Sequence, residues 1–124
     1  KLIIPKNKKK NSKIIVLLTE YLAKSPPYKI APYFSAKSSL LSYCQILSQE
    51  LFPLGVRIYY IAPGIIKSKM TSDFPDLYFQ KTKKKITQPS DVSKLCKFLL
   101  SKKGNSFHDC LLPVNKNFKI KNKF

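Results

Sequence analysis

Tyr33 and Lys37 are the two side chains whose types and spacing most directly suggest chemistry. They lie four residues apart where an amphipathic helix is predicted to begin, and residues at i and i+4 share one helix face with Cβ atoms about 5–6 Å apart. An ammonium beside a phenol favours the ionised phenol, which improves the hydroxyl as a proton donor or acceptor near neutral pH. The pair is therefore a candidate acid/base centre, although a Tyr and a Lys at this spacing also occur as ordinary surface pairs.

The first two elements of the chain would position this pair. Residues 13–19 are a continuous run rich in branched side chains, which is typical of a strand buried on both faces of a parallel sheet. Residues 33–52 repeat apolar side chains at intervals of three and four, from Leu40 to Phe52, which predicts a helix with an inward apolar face. A proline and a glycine just beyond this segment end the helix.

A second strand is predicted over residues 56–62, and Pro63-Gly64 break it at its carboxyl end. This is the end at which open α/β sheets bind their ligands. A last short strand is predicted over residues 110–114.

Between these strands the pattern predicts a helix over residues 91–102, with Ser90 as its N-cap and Gly104 closing its C-terminal end. Its inward side chains are predicted to include Leu100, and Asp91 would favour the positive end of the helix. Strand, helix, strand, helix and strand in this order indicate the α/β class, with parallel strands joined by helical crossovers. We interpret the chain as the C-terminal half of a doubly wound, Rossmann-type domain.

Three motifs give this pattern a family resemblance: Tyr-x-x-x-Lys at 33–37, Gly-Val-Arg at 55–57 and Ala-Pro-Gly-Ile at 62–65. A helix opening at Gln88-Pro89-Ser90-Asp91-Val92 follows them. In order and spacing they resemble the C-terminal half of the short-chain dehydrogenase/reductase family, and in particular its 3-oxoacyl-carrier-protein reductase branch. The resemblance covers roughly residues 13 to 114.

The resemblance implies an NAD(P)-dependent oxidoreductase that interconverts an alcohol and a carbonyl. Tyr33 would be the general acid/base while a nicotinamide delivers hydride, and Lys37 would bind the nicotinamide ribose. The choice between NAD and NADP stays open, and so does the substrate, with an acyl thioester or a sugar derivative as candidates. The other implied cofactor-binding positions follow the middle strand: Pro63, Gly64, Ile66 and Ser68.

Thr19 and Glu20 mark a departure from the family. The family places a Ser there to polarise the substrate carbonyl, and counting back from Tyr33 by the family spacing reaches Glu20. A carboxylate repels an oxyanion unless it is protonated, and Thr19 would take this position only after a one-residue shift. Because losing one oxyanion donor costs on the order of 10²–10³ in rate, a catalytically impaired relative or a scaffold protein stays open as an alternative.

The chain has 124 residues, enough for one modest domain, and only three glycines, none in a phosphate-binding cluster. Family members are roughly twice as long. We therefore expect residues 1–124 to be a partial NAD(P)-binding domain that lacks the Gly-rich cofactor turn. A short helix near residues 74–82, within a lid over residues 67–85, and a flexible basic tail over residues 115–124 are also predicted.

The net charge is +18, with Arg57 as the only arginine. Compositional bias explains this charge most simply. An acidic carrier protein that delivers an acyl substrate is the best specific partner, and nucleic acid comes third because its readers usually rely on Arg. The family resemblance also implies a homo-oligomer formed through helix 33–52, which burial within one subunit would explain as well.

Cysteine and histidine usage argues against a metal site, because no spacing typical of metal ligands occurs. Cys44, Cys96 and Cys110 all lie in apolar stretches and are interpreted as small buried residues. An odd number of cysteines without a signal peptide fits a reducing, cytoplasmic compartment. His108 is predicted to lie at the surface or in a turn, and no apolar run is long enough to span a bilayer.

Overall fold

Three parallel strands form the centre of the structure, a computed structural model that describes residues 11–66, 68–71 and 86–114. Each strand begins and ends within two residues of its predicted bounds. The α/β class and the parallel pairing are therefore confirmed. In the described part of the chain the sheet has the order β1-β2-β3, with β1 at Ser12–Leu17, β2 at Val56–Pro63 and β3 at Leu111–Val114.

The two long helices connect these strands, α1 at Ala31–Leu51 and α2 at Pro89–Leu100. Helix α1 begins two residues before the predicted start, with Pro32 in its first turn. Proline suits that position because its fixed φ matches the helix and its missing N–H has no partner there. After α1, a 3-10 turn at Phe52–Leu54 leads to Gly55, whose φ of +80° ends the helical path as predicted.

The ends of α2 correct two predictions. The N-cap is Gln88 rather than Ser90, because Pro89 occupies the first turn and the Asp91 carboxylate accepts a 3.2 Å hydrogen bond from the Gln88 N–H. The helix ends at Leu100, and Gly104 lies in a following 3-10 segment, Lys102–Phe107. Gly104 is buried against the Leu99 backbone, where any Cβ would clash, so it serves close packing and does not cap α2.

The core has two parts, one on each face of the sheet. Helix α1 packs against the face that carries Val56, Ile58 and Tyr60, and α2 packs against the opposite face with Tyr59 and Ile61. Alternate residues of β2 therefore face opposite helices, and both faces are covered, as a continuously apolar parallel strand requires.

Several side chains predicted to be buried are exposed. Leu40 and Phe52 of the α1 region and Leu100 at the end of α2 are large and exposed. Cys110 is exposed because it precedes β3 instead of lying within it, whereas Cys44 is buried and Cys96 half-buried.

The predicted helix near residues 74–82 and the predicted tail over residues 115–124 lie outside the described residues, as does most of the predicted lid over residues 67–85. Among the helices that the structure does describe, none combines the length and the apolar character needed to cross a membrane.

Candidate active site

Tyr33 and Lys37 face each other near the start of α1. The Lys37 ammonium lies 5.9 Å from the centroid of the Tyr33 ring and donates a 2.9 Å hydrogen bond to the carbonyl of Leu17. Leu17 is the last residue of β1, so this contact joins the pair to the carboxyl end of the sheet. Tyr33 is 44% exposed, which leaves its side chain accessible to a bound molecule.

Gly64 follows the end of β2, the strand beside β1. Its N–H donates a 3.0 Å hydrogen bond to the carbonyl of Val114, the last residue of β3. A Cβ at Gly64 would lie 2.9 Å from the Thr87 hydroxyl oxygen and 3.3 Å from the Glu20 carboxyl group. Only glycine fits this junction without displacing a neighbour. We name the edge formed by the ends of the three strands, at Leu17, Pro63 and Val114, the carboxyl edge.

The chain beyond Gly64 stays close to this edge. Ile66 forms an isolated parallel bridge with Thr87, whose hydroxyl donates a 2.9 Å hydrogen bond to the Val114 carbonyl. The Thr71 hydroxyl accepts a 2.8 Å hydrogen bond from the Ser68 N–H and lies 2.9 Å from the Ile66 carbonyl. Thr71 and Thr87 therefore fix the backbone on which the predicted Ile66 and Ser68 positions lie, and Ser68 is exposed there.

The side chains of Thr19 and Glu20 do not supply an accessible hydrogen-bond donor at the carboxyl edge. Thr19 is 3% exposed, and its hydroxyl accepts a hydrogen bond of 3.5 Å from the Tyr21 N–H. The Glu20 carboxylate lies against Gly64 and forms a 2.7 Å ion pair with Lys24. The side chain of Glu20 is only 14% exposed, so a carboxylate is part of the wall at the end of β2.

Comparison with known proteins identifies the family of this chain. A family model described as Enoyl-(Acyl carrier protein) reductase matches residues 1–109. The human protein named Dehydrogenase/reductase SDR family member 4 is 29% identical over 111 residues, which cover 82% of this chain and 39% of that protein. The chain belongs to the short-chain dehydrogenase/reductase family.

Two further members of this family illustrate the likeness. The 3-oxoacyl-(acyl-carrier-protein) reductase FabG of Buchnera aphidicola is 32% identical over 88 residues, covering 67% of this chain and 36% of that protein. The crystal structure of a short-chain dehydrogenase/reductase from Brucella melitensis, titled glucose/ribitol dehydrogenase, superposes with a TM-score of 0.74 at 26% identity over 86% of this chain and 44% of that one.

A short-chain dehydrogenase of Burkholderia cenocepacia, solved in complex with NADP, has the same TM-score of 0.74 at 18% identity, covering 85% of this chain and 44% of that one. These structures confirm the Rossmann-type fold. The chain spans about 40% of the length of the relatives that it matches.

The family resemblance inferred from the motifs is thus confirmed, while the roles of Tyr33, Lys37, Pro63, Gly64, Ile66 and Ser68 stay predictions. The donors at the carboxyl edge suit a nucleotide cofactor, because an ammonium and an accessible phenol, both able to hydrogen-bond sugar hydroxyls, lie together at the end of the sheet where α/β folds bind ligands.

Sequence reasoning missed a partly buried polar cluster on the α1 face, which we name the histidine clamp: Ser48, Ile58, Tyr60, His108 and Asp109. The Nδ1 atom of His108 accepts a 3.1 Å hydrogen bond from the Ile58 N–H, so its Nε2–H donates to the Ser48 hydroxyl at 3.2 Å. Tyr60 donates a 2.7 Å hydrogen bond to the Asp109 carboxylate, and burial, reinforced by this bond, raises the pKa of Tyr60. His108 does lie in a turn, but its role is internal.

Proposed function

We propose that this chain carries the catalytic half of an NAD(P)-dependent oxidoreductase that interconverts an alcohol and a carbonyl. The observation that carries the proposal is the placement of Lys37 between the Tyr33 ring and the end of β1. Membership of the short-chain dehydrogenase/reductase family supports it, because relatives with the same fold have been solved with NADP or NAD bound.

In the reduction direction, the Tyr33 hydroxyl donates its proton to the substrate carbonyl oxygen. The Lys37 ammonium stabilises the phenolate that remains, since opposite charges at short range favour the ionised form. In oxidation the same phenolate takes the proton back. A bound nicotinamide would supply or accept the hydride.

Lys37 has a second task in this proposal. Its ammonium has three N–H donors, of which the Leu17 carbonyl takes one, so the others are left for the ribose hydroxyls of the cofactor. The Gly64 turn, the Ile66 backbone and the exposed Ser68 hydroxyl would line the nicotinamide end of the same site.

The decisive variant is Tyr33→Phe in the complete protein. It removes the proton donor and keeps the ring that lies beside Lys37, so we expect turnover to fall by about 10²–10⁴-fold, the usual contribution of a general acid/base. Cofactor affinity, measured by the fluorescence of bound NADH or NADPH, should change little. An acetoacetyl thioester is the first assay substrate, because one relative is named a 3-oxoacyl-(acyl-carrier-protein) reductase; simple ketones and keto sugars complete the panel.

Tyr28→Phe is the matched control, since Tyr28 is 97% exposed and lies outside α1 and the proposed cofactor and oligomer contacts. Its turnover should equal that of the parent. Undiminished turnover in Tyr33→Phe would exclude Tyr33 as the acid/base, and an equal loss in both variants would point to a general loss of folding.

A catalytically impaired family member or scaffold is the second candidate, and the Thr19 and Glu20 geometry favours it. Just after β1, Thr19 has a buried hydroxyl and Glu20 an ion-paired carboxylate, whereas the family resemblance calls for an oxyanion donor in this segment. Folded, complete protein without saturable binding of NAD(H) or NADP(H) would support this candidate over the enzyme.

The outer face of α1 supports a homo-oligomer as part of the proposal. Leu40, Tyr43 and Ile46 are 38%, 59% and 57% exposed, and this apolar surface suits a second copy of the chain. The acyl carrier protein stays a proposed partner through the basic charge of the chain. A monomeric complete protein in sedimentation analysis would contradict the oligomer.

A further inference from the structure

A second concentration of polar groups lies at the opposite end of β1 from Lys37, on the α2 face of the sheet. Here a hollow of about 340 Å³ is lined by two lysines, two asparagines and one leucine. Among the residues that the structure describes, no acidic side chain lines it. We name it the basic hollow, after its lining residues: Asn11, Lys13, Leu100, Lys102 and Asn105.

The positive charge of this corner has no acidic partner in the described ranges. The described residues form two ion pairs, Lys24 with Glu20 and Lys94 with Asp91, and neither involves a residue of the basic hollow. Lys13 is paired in strand register with Arg57, so two cations sit side by side on neighbouring strands. Burial, reinforced by the charge of Arg57, lowers the pKa of Lys13. An anion in the hollow would offset this repulsion.

Two of the cations at this corner, Lys13 and Arg57, already make hydrogen bonds within the protein. The Lys13 ammonium donates hydrogen bonds of 2.8 Å and 2.6 Å to the Leu99 and Ser101 carbonyls, which stabilises the negative end of α2. Arg57 donates one 3.0 Å hydrogen bond to the Asn11 side chain, which also lines the hollow. Lys102 is exposed, and its ammonium is available to a ligand.

Buried polar atoms without a partner gather at the same corner. Within residues 11–66, 68–71 and 86–114 there are three such side-chain atoms: Arg57 Nε, Tyr59 Oη and Asn105 Oδ1. Tyr59 is fully buried under the Lys13 ammonium, which lies 5.7 Å from its ring centroid. Of the three residues Asn105 lines the hollow, and because buried polar groups are nearly always satisfied in folded proteins, its unpaired carboxamide points to an occupant of the hollow.

We propose that the basic hollow binds a phosphate group, either as inorganic phosphate or as the ester of a small metabolite. Lys102 and the amides of Asn11 and Asn105, which line the hollow, bind its oxygens, and the charge of Arg57 beside Asn11 adds to the attraction. The Asn105 carboxamide can turn so that its NH₂ group faces the anion, since the two ends of an amide are interchangeable in shape. A hollow of this size also leaves space for a short organic group beyond the phosphate.

Titration of the complete protein with inorganic phosphate and, separately, glycerol 3-phosphate tests this at constant ionic strength. Calorimetry measures the affinity, and the side-chain NH₂ signals of Asn11 and Asn105 in ¹⁵N-edited NMR spectra locate the site. We expect saturable binding with shifts of these signals. Binding of both probes identifies the phosphate group as the ligand, and binding of inorganic phosphate alone identifies the free ion.

Lys102→Met should weaken binding roughly tenfold, as expected for the loss of one charge-assisted contact. Asn105→Asp should abolish it, because the new carboxylate repels the anion. Lys97→Met removes the same charge from an exposed position of α2 outside the hollow and should leave the affinity within about twofold.

Circular dichroism of each variant verifies folding before titration, and Lys102→Met, at an exposed position, keeps the test valid if Asn105→Asp fails to fold. Absence of saturable binding, or equal weakening by Lys102→Met and Lys97→Met, would overturn the proposal.

Discussion

The two ends of the sheet hold their polar groups in different ways. At the carboxyl edge, the half-buried Lys37 makes a single hydrogen bond, to the Leu17 carbonyl, and Tyr33 beside it is exposed. At the start of β2, His108 uses both ring nitrogens inside the histidine clamp, and its ring stacks on Phe52 with 4.5 Å between ring centroids. One end has groups that a ligand can still engage, and the other has groups that already engage each other.

This difference assigns stability mainly to one end of the sheet and binding mainly to the other. Buried hydrogen bonds contribute to folding because leaving one partner unpaired costs about 1–3 kcal/mol. Exposed single contacts contribute little to stability and are therefore free to serve binding. The basic hollow is the exception at the amino end, since Asn105, which lines it, has a buried carboxamide oxygen without a hydrogen-bond partner among the described residues.

The largest expected effect on stability comes from comparing two glycines, one at each end of the sheet. A Cβ at Gly104 would clash with the Leu99 backbone, which cannot move without distorting α2, whereas a Cβ at Gly64 would meet the side chains of Thr87 and Glu20. We expect Gly104→Ala to lower the free energy of unfolding by about 3–4 kcal/mol and Gly64→Ala by about 1–2 kcal/mol. Chemical denaturation of both variants measures the difference.

Gly55→Ala provides a third point for this series, because space is open around Gly55 but its φ is +80°. Its cost comes from backbone strain alone. If Gly64→Ala proves more costly than Gly104→Ala, the carboxyl edge is the more rigid of the two ends, which contradicts the contrast.

The fold was predictable where the signal is local. Continuous branched residues, followed by Pro63-Gly64 after β2 and by Pro53 and Gly55 after α1, place strands and helices within two residues of their observed bounds. The N-cap of α2 was missed because a Ser at position 90 is the stronger local candidate. The actual start depends on Pro89 and on the Asp91 carboxylate reaching back to Gln88.

The carboxyl-edge pair was predictable because Tyr33 and Lys37 are separated by one helical turn. The histidine clamp was not, since His108 meets Ser48 and Ile58 across 60 and 50 residues of sequence. Nothing in the residues around His108 indicates those partners. The clamp depends on the register of α1 against the sheet, which only the folded chain defines.

The next largest effect is expected from the histidine clamp. His108→Ala removes the acceptor of the Ile58 N–H, one of the partners of the Ser48 hydroxyl, and the ring stacked on Phe52. We expect the free energy of unfolding to fall by about 2–3 kcal/mol. Thermal or urea denaturation measures this loss, and cofactor binding by the folded variant should be unchanged because the carboxyl edge is not involved.

His108→Asn is the matched control, because its amide oxygen can accept from the Ile58 N–H as Nδ1 does. It should recover part of the lost stability. If His108→Asn and His108→Ala are equally stable, the backbone hydrogen bond contributes nothing and the clamp is held by ring packing alone.

Tyr60→Phe is expected to have the smallest effect on the free energy of unfolding at neutral pH. The way this effect changes with pH reports on the environment of Tyr60. The variant loses the hydrogen bond to Asp109, which should cost about 1.5 kcal/mol at pH 7. Burial, reinforced by Asp109, raises the pKa of Tyr60 in the folded protein, while an unfolded Tyr ionises near pH ~10.

Above that pH the unfolded parent releases a proton that the folded parent retains, so the stabilising contribution of Tyr60 is complete below pH ~10 and declines by about 1.4 kcal/mol per pH unit above it. The variant has no such group. Its unfolding free energy should therefore approach that of the parent near pH ~11. Other buried groups with raised pKa values, such as Tyr59, act equally in both proteins and cancel in the difference. A constant difference from pH 7 to pH 11 would show that Tyr60 ionises as easily in the folded chain as in the unfolded one, and that the clamp is as open to water as the carboxyl edge.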